Sequence, residues 1–107
     1  MELVSPDRAA QLAADRSAVL LDVRTPAEFT AARIEGAVNA NWYLPGFADL
    51  IGDLDPTTPT IVYCRSGVRS ADAAVVMVRM GFTDVYDVAG GIIAWCEAGH
   101  RVEQNHR

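Results

Sequence analysis

The chain has 107 residues, 50% of them hydrophobic, with 9 basic against 14 acidic side chains and a net charge of −5. A domain of that length buries roughly two-thirds of its unfolded surface, so it can fold without disulfides or a structural metal. The acidic balance speaks against a nucleic-acid partner, which needs a basic footprint. No apolar run reaches the roughly 18 residues of a membrane span. The opening MELVSPDRAAQLAADRS lacks the basic-then-apolar order of a secretory signal, so the expectation is a soluble cytoplasmic protein.

Ser5, Pro6 and Asp7 ahead of RAAQLAA supply a cap, a first-turn proline and a first-turn acid, which predicts a helix over residues 6–14. AVLLDV, 18–23, is a continuous apolar run ending in a polar residue and reads as a strand buried on both faces. Thr25-Pro26-Ala27-Glu28 is a capping box opening a short helix that must end before Gly36. Residues 37–39 form a brief strand. Residues 41–59 carry three prolines, two glycines and FADLI, a loop with one or two helical turns, in which Trp42 and Tyr43 are expected to pack.

TIVYC, 60–64, is the next strand. Residues 70–80 form the longest helical candidate, with Ala71, Ala74, Val75 and Val78 on one face. Val76 and Met77 widen that face, so the helix is expected to be largely buried, with Gly81 marking its end. DVYDV, 84–88, is a further strand, and Gly90-Gly91 opens a helix, IIAWCEA, closed by Gly99. From Arg101 the chain turns polar and reads as a loose tail. Strands alternate with helices, which predicts an α/β domain with a mainly parallel sheet. Ligands of such sheets bind beyond the carboxyl ends of the strands, and Cys64 stands at one of those ends.

The stretch around that cysteine, IVYCRSGVRSADAA, concentrates the chemistry. A loop between a strand end and a helix start aims backbone N–H groups inward and forms an anion nest. The thiolate is the first anion such a nest would stabilise. Arg65 and Arg69 add positive charge and could hold an anionic substrate by paired hydrogen bonds. Gly67 frees the backbone to turn, and Ser66 and Ser70 add hydroxyls for capping or substrate contact. No histidine lies nearby in sequence, which argues against a Cys–His protease pair. Cys64, Cys96, His100 and His106 form no closely spaced metal-binding cluster, and a cytosolic thiol stays reduced, so neither a metal, an organic cofactor nor a disulfide is expected. Cys96 reads as a packing residue, the alternative being a second thiol that attacks an intermediate on Cys64.

Three stretches together resemble the single-domain rhodaneses, a sulfurtransferase family. LLDVRTPAEFTAARIEGAVNAN resembles its Asp-x-Arg, Glu-Phe and Ile-x-Gly-Ala-x-Asn pattern, IVYCRSGVRSADAA its active-site loop, and GFTDVYDVAGGIIAWCEAG its closing strand and Trp helix. The resemblance implies a five-stranded, mainly parallel sheet flanked by helices on both faces, in one domain over residues 1–102 with a polar tail over 103–107. It implies that Cys64 takes a sulfane sulfur from a small anionic donor, thiosulfate or a persulfide. Cys64 would hold it as a persulfide and pass it to cyanide, a thiol or a protein acceptor. Arg65, Ser66, Gly67, Val68 and Arg69 would cradle that sulfur, with Ser70 at the helix start. Asp22 and Arg24 are expected to be structural, Asp22 binding loop amides and Arg24 pairing with Glu28 or another acid, the alternative being a direct catalytic role.

Related phosphatases and arsenate reductases carry a Cys-x5-Arg loop to hold a tetrahedral oxyanion. Cys64 and Arg69 give the shorter Cys-x4-Arg, which favours sulfur. The mercaptopyruvate-using branch lacks the two arginines. One departure is Arg33, where the family often has histidine, and a structural or surface contact is expected there. The rival to free turnover is a carrier or regulatory module working with a protein partner.

Overall fold

A computed structural model describes residues 1–104, so His106 and the last part of the expected tail lie outside the described residues. In chain order the elements are β1 (Glu2–Val4), α1 (Pro6–Arg16), β2 (Val19–Asp22), α2 (Pro26–Ala31), β3 (Ala32–Ile34), β4 (Val38–Asn39), α3 (Phe47–Gly52), β5 (Thr60–Tyr63), α4 (Val68–Arg79), β6 (Val85–Val88), α5 (Gly91–Glu97) and β7 (Val102–Gln104). Five strands form one sheet in the order β1-β6-β5-β2-β4, and every neighbouring pair is parallel.

The central strand explains the layering. Along β5 side chains alternate between faces. Val62 and Cys64 join one core with Leu21, Val23, Phe47 and Ile51 of α3, and Ala73, Ala74 and Met77 of α4. Ile61 and Tyr63 join the other, with Ala9 and Leu12 of α1 and Ile92 and Trp95 of α5. The apolar runs of β2 and β5 are therefore continuous because both faces are covered.

The order of strands also places the site. From β2 the chain moves outward to β4, while from β5 it moves the other way to β6. The crevice where these directions part lies at the carboxyl ends of β2 and β5, the usual ligand position in an open parallel sheet. Cys64 follows β5 there, and Val23 and Arg24 follow β2.

Three expectations change. β1 was not foreseen: it pairs with β6 from Glu2↔Tyr86 to Val4↔Val88 and supplies the fifth strand. The expected loose tail is partly ordered, because β7 pairs antiparallel with β3, Val102 opposite Ile34. Arg33, on β3, there donates to Glu103 at 3.2 Å, a surface contact as expected. The third change is the face of α4. Val75 and Val78 are 42% and 43% exposed, and the buried face is Ser70, Ala73, Ala74 and Met77. The segment is apolar nearly all round, so small residues settle against the sheet and the valines are left outside.

Candidate active site

Cys64 lies beneath the loop between β5 and α4, with 1% of its surface exposed. Gly67 adopts φ +110°, a conformation that favours glycine, and this turns its N–H back toward the strand end. That N–H donates to Cys64 Sγ at 3.0 Å. Ser70, in the first turn of α4, brings its hydroxyl to 3.5 Å from Sγ and to 3.3 Å from the Gly67 carbonyl. Burial alone would push the thiol up. Hydrogen bonds from the Ser70 hydroxyl and from the amides of Ser70, Gly67 and Ser66 outweigh it and hold Cys64 below the usual thiol range. The loop thus stabilises a thiolate, and amides and a hydroxyl do so ahead of the arginines expected from the sequence.

The loop is clamped from the other side by α5. Ile92 N–H donates to Cys64 O at 2.9 Å and Ile93 N–H to Arg65 O at 3.2 Å. With its carbonyls tied outward to α5, the loop keeps its own amides pointing at Sγ.

The two arginines of the motif have different places. Arg65 is exposed, as are Ser66 and Val68, so these three line the outside of the loop. Arg69 reaches across to α2 and makes a two-pronged pair with Glu28, at 2.7 and 3.0 Å. Its guanidinium also lies over the Tyr43 ring at 5.5 Å. Tyr43 is 66% exposed, so it borders the site and does not pack in the core as expected. Trp42 does pack, edge-on to Phe47 with ring centroids 5.0 Å apart.

Glu28 therefore does two tasks. It completes the Thr25 capping box and anchors Arg69. Above all the Arg69 hydrogen bonds lower its carboxyl from an ordinary 4.5 to about 2. A lowered carboxylate stabilises the fold above its unfolded pKa and loses that contribution as pH falls through the folded value. With Glu28 side chain 30% exposed, solvent screening leaves about 1–2 kcal/mol. Glu28→Gln should lose that amount at neutral pH. The difference from the parent should shrink as pH drops from 4.5 toward 2, which denaturant titration at several pH values will read.

Asp22 and Arg24 come together at the end of β2 but away from Cys64. Asp22 accepts from the Arg24 backbone at 2.8 Å, the loop-amide role expected of it, and binds the Arg24 side chain through both carboxylate oxygens. Burial opposes the Arg24 charge, yet the Asp22 hydrogen bonds and charge hold its pKa above the ordinary value. Arg24 thus pairs with Asp22, and Glu28 with Arg69. Asn39 pins the same turn by donating to the Asp22 and Arg24 carbonyls at 3.0 and 2.9 Å.

Both cysteines are free, and Cys96 is exposed on α5, so packing does not account for it as expected. Sequence reasoning missed the site role of Glu28. Glu28 is expected as a cap and as one candidate partner for Arg24, and nothing in sequence ties it to Arg69, 41 positions away.

A parallel α/β sheet with an amide-cradled thiol at the end of its central strand is the framework of a cysteine-dependent group-transfer enzyme. Comparison with known proteins narrows that class. The model of the rhodanese-like domain family matches residues 5–98. Thiosulfate sulfurtransferase GlpE of Pseudomonas putida is 38% identical over 92 residues, spanning 86% of this chain and 82% of that one. GlpE of Shewanella oneidensis is 35% identical over 95 residues, 89% and 92% of the two chains. A rhodanese-related protein from Thermoplasma volcanium superposes with a TM-score of 0.87 at 25% identity, covering 98% of this chain and 100% of that one. The chain belongs to the rhodanese-like domain family and is a rhodanese-type sulfurtransferase.

Proposed function

We propose that the protein moves a sulfane sulfur from thiosulfate or a persulfide donor to cyanide or a thiol through a persulfide on Cys64. The observation that carries this reading is the buried Cys64 Sγ held at the end of the central strand by the Gly67 N–H at 3.0 Å, with the Ser70 hydroxyl at 3.5 Å. A thiolate attacks the outer sulfur of thiosulfate. A new S–S bond forms, the old one breaks, and sulfite leaves with its electron pair. The added sulfur stands about 2 Å beyond Sγ, toward the amides of residues 65–69. In the second half-reaction the acceptor bonds to that sulfur and the electron pair returns to Sγ. Arg65, exposed at the loop and free of the Glu28 pairing that occupies Arg69, is the cation offered to an anionic donor.

A second reading, delivery to a protein acceptor, is favoured by the apolar rim. Val68 is 73% exposed, Tyr43 66% and Leu44 48%. Such a carrier would load with sulfur normally and turn over slowly with small acceptors.

Intact-mass spectrometry of the reduced protein mixed with thiosulfate should show a gain of one sulfur atom, lost again on adding cyanide. No gain from thiosulfate or from a persulfide donor, with the fold intact, would refute the persulfide cycle. Release of phosphate from an aryl phosphate would instead assign the loop to phosphoryl transfer.

A further inference from the structure

Asp87 is a carboxylate where the fold gives it no solvent. It is 2% exposed, and its Oδ1 is buried with no hydrogen-bond partner among the described residues. It lies near the carboxyl end of β6, opposite Val62 of β5. Val85, two residues earlier, faces the α4 core, so by the period of a strand Asp87 faces it too. Cys64 is two residues beyond Val62 on that same face. Asp87 and Cys64 are therefore diagonal neighbours on one face of adjacent parallel strands, their Cα atoms about 8 Å apart by strand spacing and rise, a gap one bridging hydroxyl can span. Ser70 is the hydroxyl placed to do this: it sits on the buried face of α4, which packs on this core, 3.5 Å from Cys64 Sγ, and its nearness opposes the effect of burial on the Asp87 carboxyl.

We propose that Asp87 is a positioning residue for the nucleophile, sharing one proton and one negative charge with Cys64 through the Ser70 hydroxyl. This rests on the reading of Cys64 as the thiolate nucleophile. The proton balance is closed. The Cys64 S–H bond breaks, its proton passes to Ser70 Oγ, and the Ser70 proton passes to the Asp87 carboxylate. A thiol and a carboxylate become a thiolate and a carboxylic acid, with Ser70 unchanged and the charge conserved. In the thiolate form the Asp87 acid donates to Ser70 and Ser70 donates to Sγ. In the thiol form that hydroxyl turns to Asp87 or to the Gly67 carbonyl, 3.3 Å away.

Burial raises the Asp87 carboxyl, with Ser70 opposing, while the loop lowers Cys64. The two groups are thereby drawn toward each other in proton affinity, the condition for a coupled pair. Other charges on the neighbouring elements point to solvent or are paired elsewhere. β1 and β5 flank Asp87 through Leu3 and Val62. On α4, Asp72 and Arg79 are exposed and Arg69 is paired with Glu28.

The test uses Cys96→Ser as parent, so that Cys64 is the one thiol, and needs no sulfur donor. Thiolate absorbance and alkylation rate are followed against pH. The parent should ionise in two spread steps. Asp87→Asn should ionise in one step, half-complete at a pH lower by about one unit, a tenfold rise in thiolate fraction. In a Ser70→Ala background the Asp87 change should no longer shift the thiol. A raised acid stabilises the fold at low pH and costs stability as pH rises through its folded pKa, so Asp87→Asn should be as stable as the parent or more so at neutral pH. In the unsubstituted parent, the Asp87 carboxyl carbon should register the Cys64 ionisation in its NMR shift. An identical thiol titration in parent and Asp87→Asn, or an Asp87 carbon blind to Cys64, would overturn the proposal. The persulfide reading could still stand, since it is tested separately by mass.

Discussion

Cys64→Ser is expected to lose sulfur transfer by ~10³-fold or more, because a serine hydroxyl stays protonated at neutral pH and is a poor nucleophile toward sulfur. The loss should be chemical and not structural. The substitution keeps the size of a small buried side chain, and a hydroxyl at this place still meets the Gly67 N–H and the Ser70 hydroxyl that now approach Sγ at 3.0 and 3.5 Å. Stability should change by about 1 kcal/mol or less. Steady-state turnover with thiosulfate and cyanide, beside a thermal melt, separates the two effects. A folded Cys64→Ser protein with parental turnover would remove the thiol from the reaction and move attention to Cys96. Because the loop amides survive the change, the variant should still bind any protein acceptor that recognises the exposed Val68 and Tyr43 rim.

The loop around Cys64 was legible in the sequence and its wiring was not. A cysteine closing an all-buried strand, a glycine three positions on and a helix beyond are local features, and local features survive folding. The Thr25–Glu28 capping box was likewise readable because both halves lie within one helical turn. Charge partners obey no such rule. Asp22, Arg24, Glu28, Arg65 and Arg69 can be paired in several ways on paper. Tertiary packing alone joins Glu28 to Arg69 and leaves Arg65 outside. The same limit hid β1, three residues of which only Val4 is buried, and whose partner β6 lies at the far end of the chain. On α4 the periodicity failed for a different reason. With valine, alanine and methionine on nearly every side, no single apolar stripe distinguishes the face that carries Ser70 toward Cys64.

Gly91→Ala should damage both fold and function from the opposite side of the loop. Gly91 sits at φ +62°, where an alanine is strained. Its missing Cβ would stand 2.5 Å from the carbonyl oxygens of Cys64 and Arg65, backbone atoms that no rotamer can move aside. Left-handed strain plus this overlap amounts to about 2–4 kcal/mol of lost stability. Relief requires α5 to draw back, and α5 is what holds the loop carbonyls, through Ile92 to Cys64 and Ile93 to Arg65. Released, those peptide groups no longer fix the direction of the Gly67 N–H, and the thiol loses donors that oppose its burial. Denaturant unfolding should show the lower stability. The surviving folded fraction should show a Cys64 that alkylates more slowly at neutral pH, with sulfur transfer down at least about tenfold. Parental stability combined with parental thiol reactivity would mean that the close approach of α5 is incidental to the loop, and the amide cradle would then have to be held by α4 alone.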